Sequence, residues 1–229
     1  MGFDITYFIF VVPAIILALW AQITVDSTFK KYSKVMSLRR ITGAQAARRV
    51  LDANGLSNVE IRRVSGKLTD HYDPRNNTVN LSESVYDSVS VASIGVACHE
   101  VGHAIQHSVG YTPIKIRSAI IPITQIGSNL AMPLVLIGLI LSYPPLAYAG
   151  CIFFALSTLF QLVTLPVEFN ASRRAMSSIE QYGILDSEER VGSKKVLKAA
   201  AMTYVAALAV SLAQLLRLLL IVGGGRRRD

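Results

Sequence analysis

The sequence predicts a mainly α-helical membrane protein with about four transmembrane helices and one small α+β unit outside the bilayer. Three observations predict it. Apolar residues make up 52% of the 229 residues and charged ones only 17%, where a soluble domain carries about a quarter charged. The apolar residues are gathered into four charge-poor stretches, each long enough to cross a hydrocarbon core as a helix at 1.5 Å per residue. The charges fall in two blocks between those stretches. This composition excludes intrinsic disorder, collagen and disulfide-stapled mini-proteins. The net charge of +8 suits an anionic membrane surface better than nucleic acid, which would not require long uncharged runs. The two cysteines, Cys98 and Cys151, sit in apolar surroundings and call for no oxidising compartment.

Residues 1–25 form the first element, an N-terminal anchor. Ile5 to Val25 contains no charge, and no Lys or Arg precedes it, so it lacks the basic region of a cleaved signal. Seven basic residues follow, Lys30 through Arg49, with Asp26 the one acid before Asp52. That asymmetry places the N-terminus outside, with Asp4 on the far side, and residue 26 onward in the cytoplasm.

Residues 26–117 are the polar unit, with 13 basic and 8 acidic residues. Thr42 is placed to cap a helix running through Ala53, with Gly55 to end it. Val59 to Val64 alternates as a half-buried strand does, Asp73 to Asn77 is turn chemistry, and Thr78 to Leu81 resumes as a strand. Ser82 or Ser88 can start the next helix, which runs through Val109 and closes at Gly110. The strand around Asn77 to Leu81 is a candidate edge to which an extended peptide would add.

Residues 118–167 read as a membrane hairpin. Ser118–Ser142 and Pro145–Val167 are both free of charge and lie one tight turn apart, so the chain returns to the side it left. Pro122 and Pro133 should kink the first of these, which membrane helices tolerate. Residues 168–198 form a second polar segment, with six basic and five acidic residues. Residues 199–229 are a last apolar helix, spanning or re-entrant, with Arg217 near its end and a tail rich in arginine.

The chemistry lies in the polar unit, where Ala97-Cys98-His99-Glu100-Val101-Gly102-His103 contains an H-E-x-x-H on the expected helix. Residues i and i+4 share a helix face at about 6 Å, so two imidazoles can converge on one zinc ion. Glu100 can then serve as general base toward an activated water without ligating the metal. Such a site hydrolyses amide bonds. A third protein ligand is required, with the fourth position open. His107 continues the spacing, but eight residues of helix put it about 12 Å from His99, too far to share an ion. Glu168 is the better candidate, because two crossings of the hairpin return it to the side of His99. Small Ala171, one turn on, permits close approach of its helix, and Ser172 can hydrogen-bond a ligand. Glu180 is the alternative ligand. Arg173, Arg174 and Tyr182 are candidates for stabilising an oxyanion.

At these residues the sequence resembles the YugP-type neutral zinc metallopeptidases of bacterial membranes. The likeness rests on the N-terminal anchor, on Asp70-His-Tyr-Asp-Pro74, on Ala97 to Gln106, and on Pro166-Val-Glu-Phe-Asn-Ala-Ser-Arg-Arg-Ala175. More distantly it is similar to the HtpX and CAAX-prenyl membrane proteases, whose third zinc ligand is the Glu of an E-x-x-A-D motif. The resemblance implies His99, His103 and Glu168 as ligands of Zn2+, Glu100 as base, and a zincin-like (gluzincin) cytoplasmic unit in a bacterial inner membrane. Those distant relatives have Asp where this chain has Ser172. The expected partners are a polypeptide substrate and the lipid bilayer, with no nucleic acid. Two other readings make different demands. A membrane scaffold with a structural zinc needs a fourth protein ligand, such as Cys98 or His107, and an intramembrane protease needs H-E-x-x-H inside a hydrophobic span.

Overall fold

The computed structural model describes residues 5–224, so Asp4 and the tail arginines Arg226, Arg227 and Arg228 lie outside the described residues. A π-helical turn, Tyr7–Val11, leads into α1 (Val12–Tyr32). Then follow α2 (Gly43–Ala53), β1 (Glu60–Val64), β2 (His71–Asp73), β3 (Thr78–Ser82), α3 (Glu83–Tyr86) and α4 (Val91–Ser108). Three long helices complete the chain: α5 (Thr112–Ile140), α6 (Pro144–Gln181) and α7 (Ser187–Gly224). Among the described residues, four helices are long and apolar enough to cross a membrane, the first counted from Tyr7 through α1, and then α5, α6 and α7. The helix carrying H-E-x-x-H, α4, is not among them.

The chain divides into two compact units. One comprises residues up to Ala21, Ile116–Leu165 and Thr203 onward, and the other comprises Gln22–Lys115 and Pro166–Met202. In the first, α5 stays helical through Pro122 and Pro133. Small residues let its helices approach. A Cβ added at Gly138 would sit 2.4 Å from the Ala147 amide nitrogen, and one at Gly150 would sit 2.6 Å from the Ala131 carbonyl oxygen. The hydroxyl pairs Ser128–Ser157 and Thr158–Ser211, 2.6 and 2.7 Å apart, bridge helix to helix. The Arg217 guanidinium lies 5.3 Å from the centre of the Tyr7 ring, so the end of α7 stands level with the beginning of the first helix.

In the second unit, local chemistry sets the elements. Thr42 forms a reciprocal capping box with Gln45 at the start of α2. Ser90 accepts from the Ser93 amide to start α4, and Gly110 leaves that helix at φ +64°. Ser82, a candidate start for the long helix, instead precedes the short α3. The three-stranded sheet has the order β1-β3-β2, with β1 parallel and β2 antiparallel to β3. The expectation that residues 77–81 form a free edge is therefore corrected. β3 is the central strand, buried along its whole length, and both of its hydrogen-bonding sides are taken. Its side chains Val79 and Leu81 join Val50, Leu51, Ile94, Val101 and Ile179 in one hydrophobic core, which fixes α2, α4 and part of α6 around the sheet.

Candidate metal centre

Two helices of the second unit supply the centre. α4 brings His99, Glu100 and His103, and α6 brings Glu168, which lies within the long helix. The helices meet where side chains are smallest. A Cβ on Gly102 would stand 2.6 Å from the Ala171 carbonyl oxygen, a distance no real side chain adopts. Glycine between the two histidines is thus a steric requirement of this crossing. Ala171 faces it, in agreement with the close approach expected at that residue.

The approach delivers the Glu168 carboxylate between the imidazoles. Its Oε2 lies 3.3 Å from Nε2 of His99 and 3.6 Å from Nε2 of His103, and the carboxylate is 3% exposed. The two rings stand edge to face at 86°, with centroids 4.8 Å apart. All three donor atoms fall within 4.8 Å of one another. Tetrahedral zinc with bonds of about 2.0–2.1 Å sets its ligand atoms about 3.4 Å apart, which is close to the observed separations. Two imidazole nitrogens and one carboxylate oxygen are a donor set that zinc accepts, so residues and metal fit.

Hydrogen bonds on the far ring nitrogens fix the orientation of both histidines. Nδ1 of His99 lies 3.1 Å from the Ser172 hydroxyl, and Nδ1 of His103 lies 3.0 Å from Oε1 of Gln106. Gln106 is itself held, since its amide donates to the Val167 carbonyl at 2.7 Å and to Asn170 Oδ1 at 3.0 Å. With each Nδ1–H donating outward, each Nε2 lone pair is left for a metal.

Glu100 is 8% exposed, and its Oε2 accepts the main-chain N–H of Tyr72 at 3.1 Å. Burial raises its pKa above the usual carboxylate value, while the positive charge available to His99 and His103 opposes that rise. Burial would lower the pKa of His103, but Glu168 and Glu100 outweigh it, and the net direction is upward. Tyr72 belongs to the Asp70–Pro74 run, and the structure explains its neighbours. Asp70 accepts from the amide and the hydroxyl of Ser82, at 2.7 and 3.0 Å, and so anchors the start of β2 to the end of β3. Burial nevertheless raises the Asp70 pKa.

The other candidates lie elsewhere. His107 is half-buried, with its ring 5.4 Å from that of Tyr72, and it stands outside the three-donor group. Cys98 is fully buried, burial pushes its thiol pKa up to about 12, and it stands outside the three-donor group. Glu180 is exposed and ion-paired to Arg190. Arg174 hydrogen-bonds Asn170, Tyr182 meets Asn54, and Arg173 is exposed on α6. Sequence reasoning assigned no role to Tyr72, Gln106 or Asn170. Gln106 carried a signal, standing one helical turn beyond His103, whereas a main-chain donor such as the Tyr72 N–H leaves none.

Comparison with known proteins follows the same line. The model of the family described as "Putative neutral zinc metallopeptidase" matches residues 7–223. The chain is 49% identical over 220 residues to "Putative membrane protease YugP" of Bacillus subtilis (strain 168), covering 96% of this chain and 98% of that protein. No solved structure matches.

Proposed function

Since the chain belongs to this neutral zinc metallopeptidase family, we propose that it is a membrane-bound zinc endopeptidase that cuts membrane or membrane-proximal polypeptides. Its ligands would be His99, His103 and Glu168, and its general base Glu100. The observation that carries the reading is the Glu168 carboxylate seated between the Nε2 atoms of His99 and His103. A zinc ion held there supplies a Lewis acid that polarises a peptide carbonyl and acidifies an attacking water.

The chain does the rest. Glu100 accepts the proton that the water gives up and passes it to the departing amine. Its raised pKa brings it nearer the pH at which such a base is most effective. The Tyr72 N–H holds one oxygen of Glu100 in place, leaving the other to work. Ser172 and Gln106 keep the imidazoles turned inward.

The small α+β unit would be the zincin-like catalytic part, cytoplasmic by the basic bias of residues 30–49, and the helices would embed it in a bacterial inner membrane. The division into an anchor (1–25), catalytic unit (26–117), hairpin (118–167), second polar segment (168–198) and final helix (199–229) belongs to the same proposal. The level of Arg217 beside Tyr7 supports a final helix that spans. A structural zinc is closed by four protein donors, and among the described residues three come together here.

The test is metal content and casein cleavage of the purified protein beside two variants. Glu100→Gln should keep its zinc and lose about 10²–10⁴-fold or more in rate. Glu168→Ala should lose zinc as well. Undiminished cleavage by Glu100→Gln would refute the mechanism, and full zinc occupancy without Glu168 would move the third ligand elsewhere.

A further inference from the structure

We propose that the groove between the polar parts of α6 and α7 binds the headgroup of an anionic phospholipid. The groove has a volume of about 530 Å³. Its residues on α6, from Phe169 through Arg173 and Met176 to Glu180, recur every three or four positions, and so do those on α7 from Ser187 to Ala201. Each helix therefore turns one face to the groove.

The charge on that face is one-sided. Glu180 is engaged by Arg190. Arg173, Lys194 and Lys198 are exposed and enter no ion pair among the described residues. Three cations thus converge without a protein counter-ion. Between them the surface is apolar, with Phe169 42% and Val191 51% exposed beside Met176. A free phosphate would use the cations and leave that surface wet, whereas a lipid uses both.

The groove also begins at the right depth along both helices. Phe169 comes two residues after the charge-free stretch Pro145–Val167, and Ala201 lies at the start of the apolar stretch Ala199–Val222. Its apolar end thus adjoins in sequence the segments proposed to lie in hydrocarbon, and its cations stand about one to two turns beyond, where headgroups reside. The proposal rests on membrane embedding but not on peptidase activity. Release of the protein from membranes by alkaline carbonate would show that the embedding itself had failed.

Native mass spectrometry of the full-length protein, released from membranes and equilibrated with equal amounts of phosphatidylglycerol and phosphatidylcholine, is the test. The wild type should retain phosphatidylglycerol preferentially. Lys194→Gln/Lys198→Gln should weaken that retention about thirtyfold, roughly five- to sixfold per lysine, and leave phosphatidylcholine unchanged. Val191→Glu, a single change at an exposed position, should act in the same direction. Lys30→Gln/Lys31→Gln removes equal charge from the end of α1 and should change little. Zinc content serves as the check on folding. Undiminished phosphatidylglycerol binding by the groove variants would overturn the proposal, as would an equal loss in the α1 variant. Equal displacement of the lipid by glycerophosphate alone would show that the acyl chains contribute nothing and would also overturn it.

Discussion

The two units use one packing device in different surroundings. In the first compact unit, Gly150 lies against the Ala131 carbonyl at the same prospective Cβ distance, 2.6 Å, that separates Gly102 from the Ala171 carbonyl in the second. What surrounds the crossing differs. Around Gly150 the helices keep large apolar side chains on their outer faces, such as Leu136, Ile140, Ile152 and Leu216. Water would penalise that surface, whereas the lipid proposed to surround it would not, so close packing and hydroxyl bridges would there reinforce the small buried cluster of Val135, Ala147, Cys151, Leu218 and Val222. Around Gly102 the same closeness places Glu168 between two imidazoles, and hydrogen-bonded side chains orient the rings. The lesson is that small residues fix the distance between helices, while the surrounding polar groups decide whether that distance becomes a binding site.

The comparison is sharpest at the glycines. Gly102→Ala should displace α6 from α4, cost about 1–3 kcal/mol of stability by overpacking, and strip most of the zinc. Gly150→Ala meets a clash at least as severe, against Ala131 and Val135 together, and should cost at least as much, yet leave zinc stoichiometric. Thermal unfolding with metal analysis separates the two. Zinc loss from Gly150→Ala would mean that the units are energetically coupled, and the contrast would break.

A smaller effect is expected where His103 is supported. Gln106→Leu removes the acceptor for Nδ1 and leaves the Val167 carbonyl without the amide it receives. Loss of such a supporting contact typically costs about 10–100-fold in metal affinity. Competition with a chelator measures it. An unchanged affinity would mean that helix geometry alone orients the ring.

The two kinds of packing also differ in how far the sequence reveals them. The apolar stretches and H-E-x-x-H are local patterns, and each lies on a helix as its length or its i, i+4 spacing demands. The nearness of Glu168 to His99 followed from counting crossings, because a hairpin restores the side of the bilayer. The order of the sheet did not follow. Thr78 to Ser82 and an edge strand carry similar β-branched residues, and a central position depends on partners 18 residues upstream in β1 and a turn away in β2. Charge divides the chain before Glu168, whereas α6 runs across that division from Pro144 to Gln181 as one helix, with Pro166 inside it. A change of solvent along a helix changes the composition without interrupting the backbone hydrogen bonds.

The smallest effect should come at Ser172, and its sign carries the information. The hydroxyl reaches Nδ1 of His99 at 3.1 Å at a half-buried position, where water can take its place. Ser172→Ala should therefore weaken zinc binding by no more than about tenfold, below the loss at Gln106. Ser172→Asp goes the other way. A carboxylate accepting from Nδ1–H makes the imidazole a stronger donor and stabilises the positive charge at the centre, so affinity should rise about tenfold. The extra atoms must fit between α4 and α6, beside the crossing that Gly102 and Ala171 keep tight. A rise in affinity would show that the space tolerates the carboxylate and that a weak acceptor limits His99 in this chain. A fall would show that the close approach leaves room for a hydroxyl alone, and that distance, more than acceptor strength, governs this side of the centre.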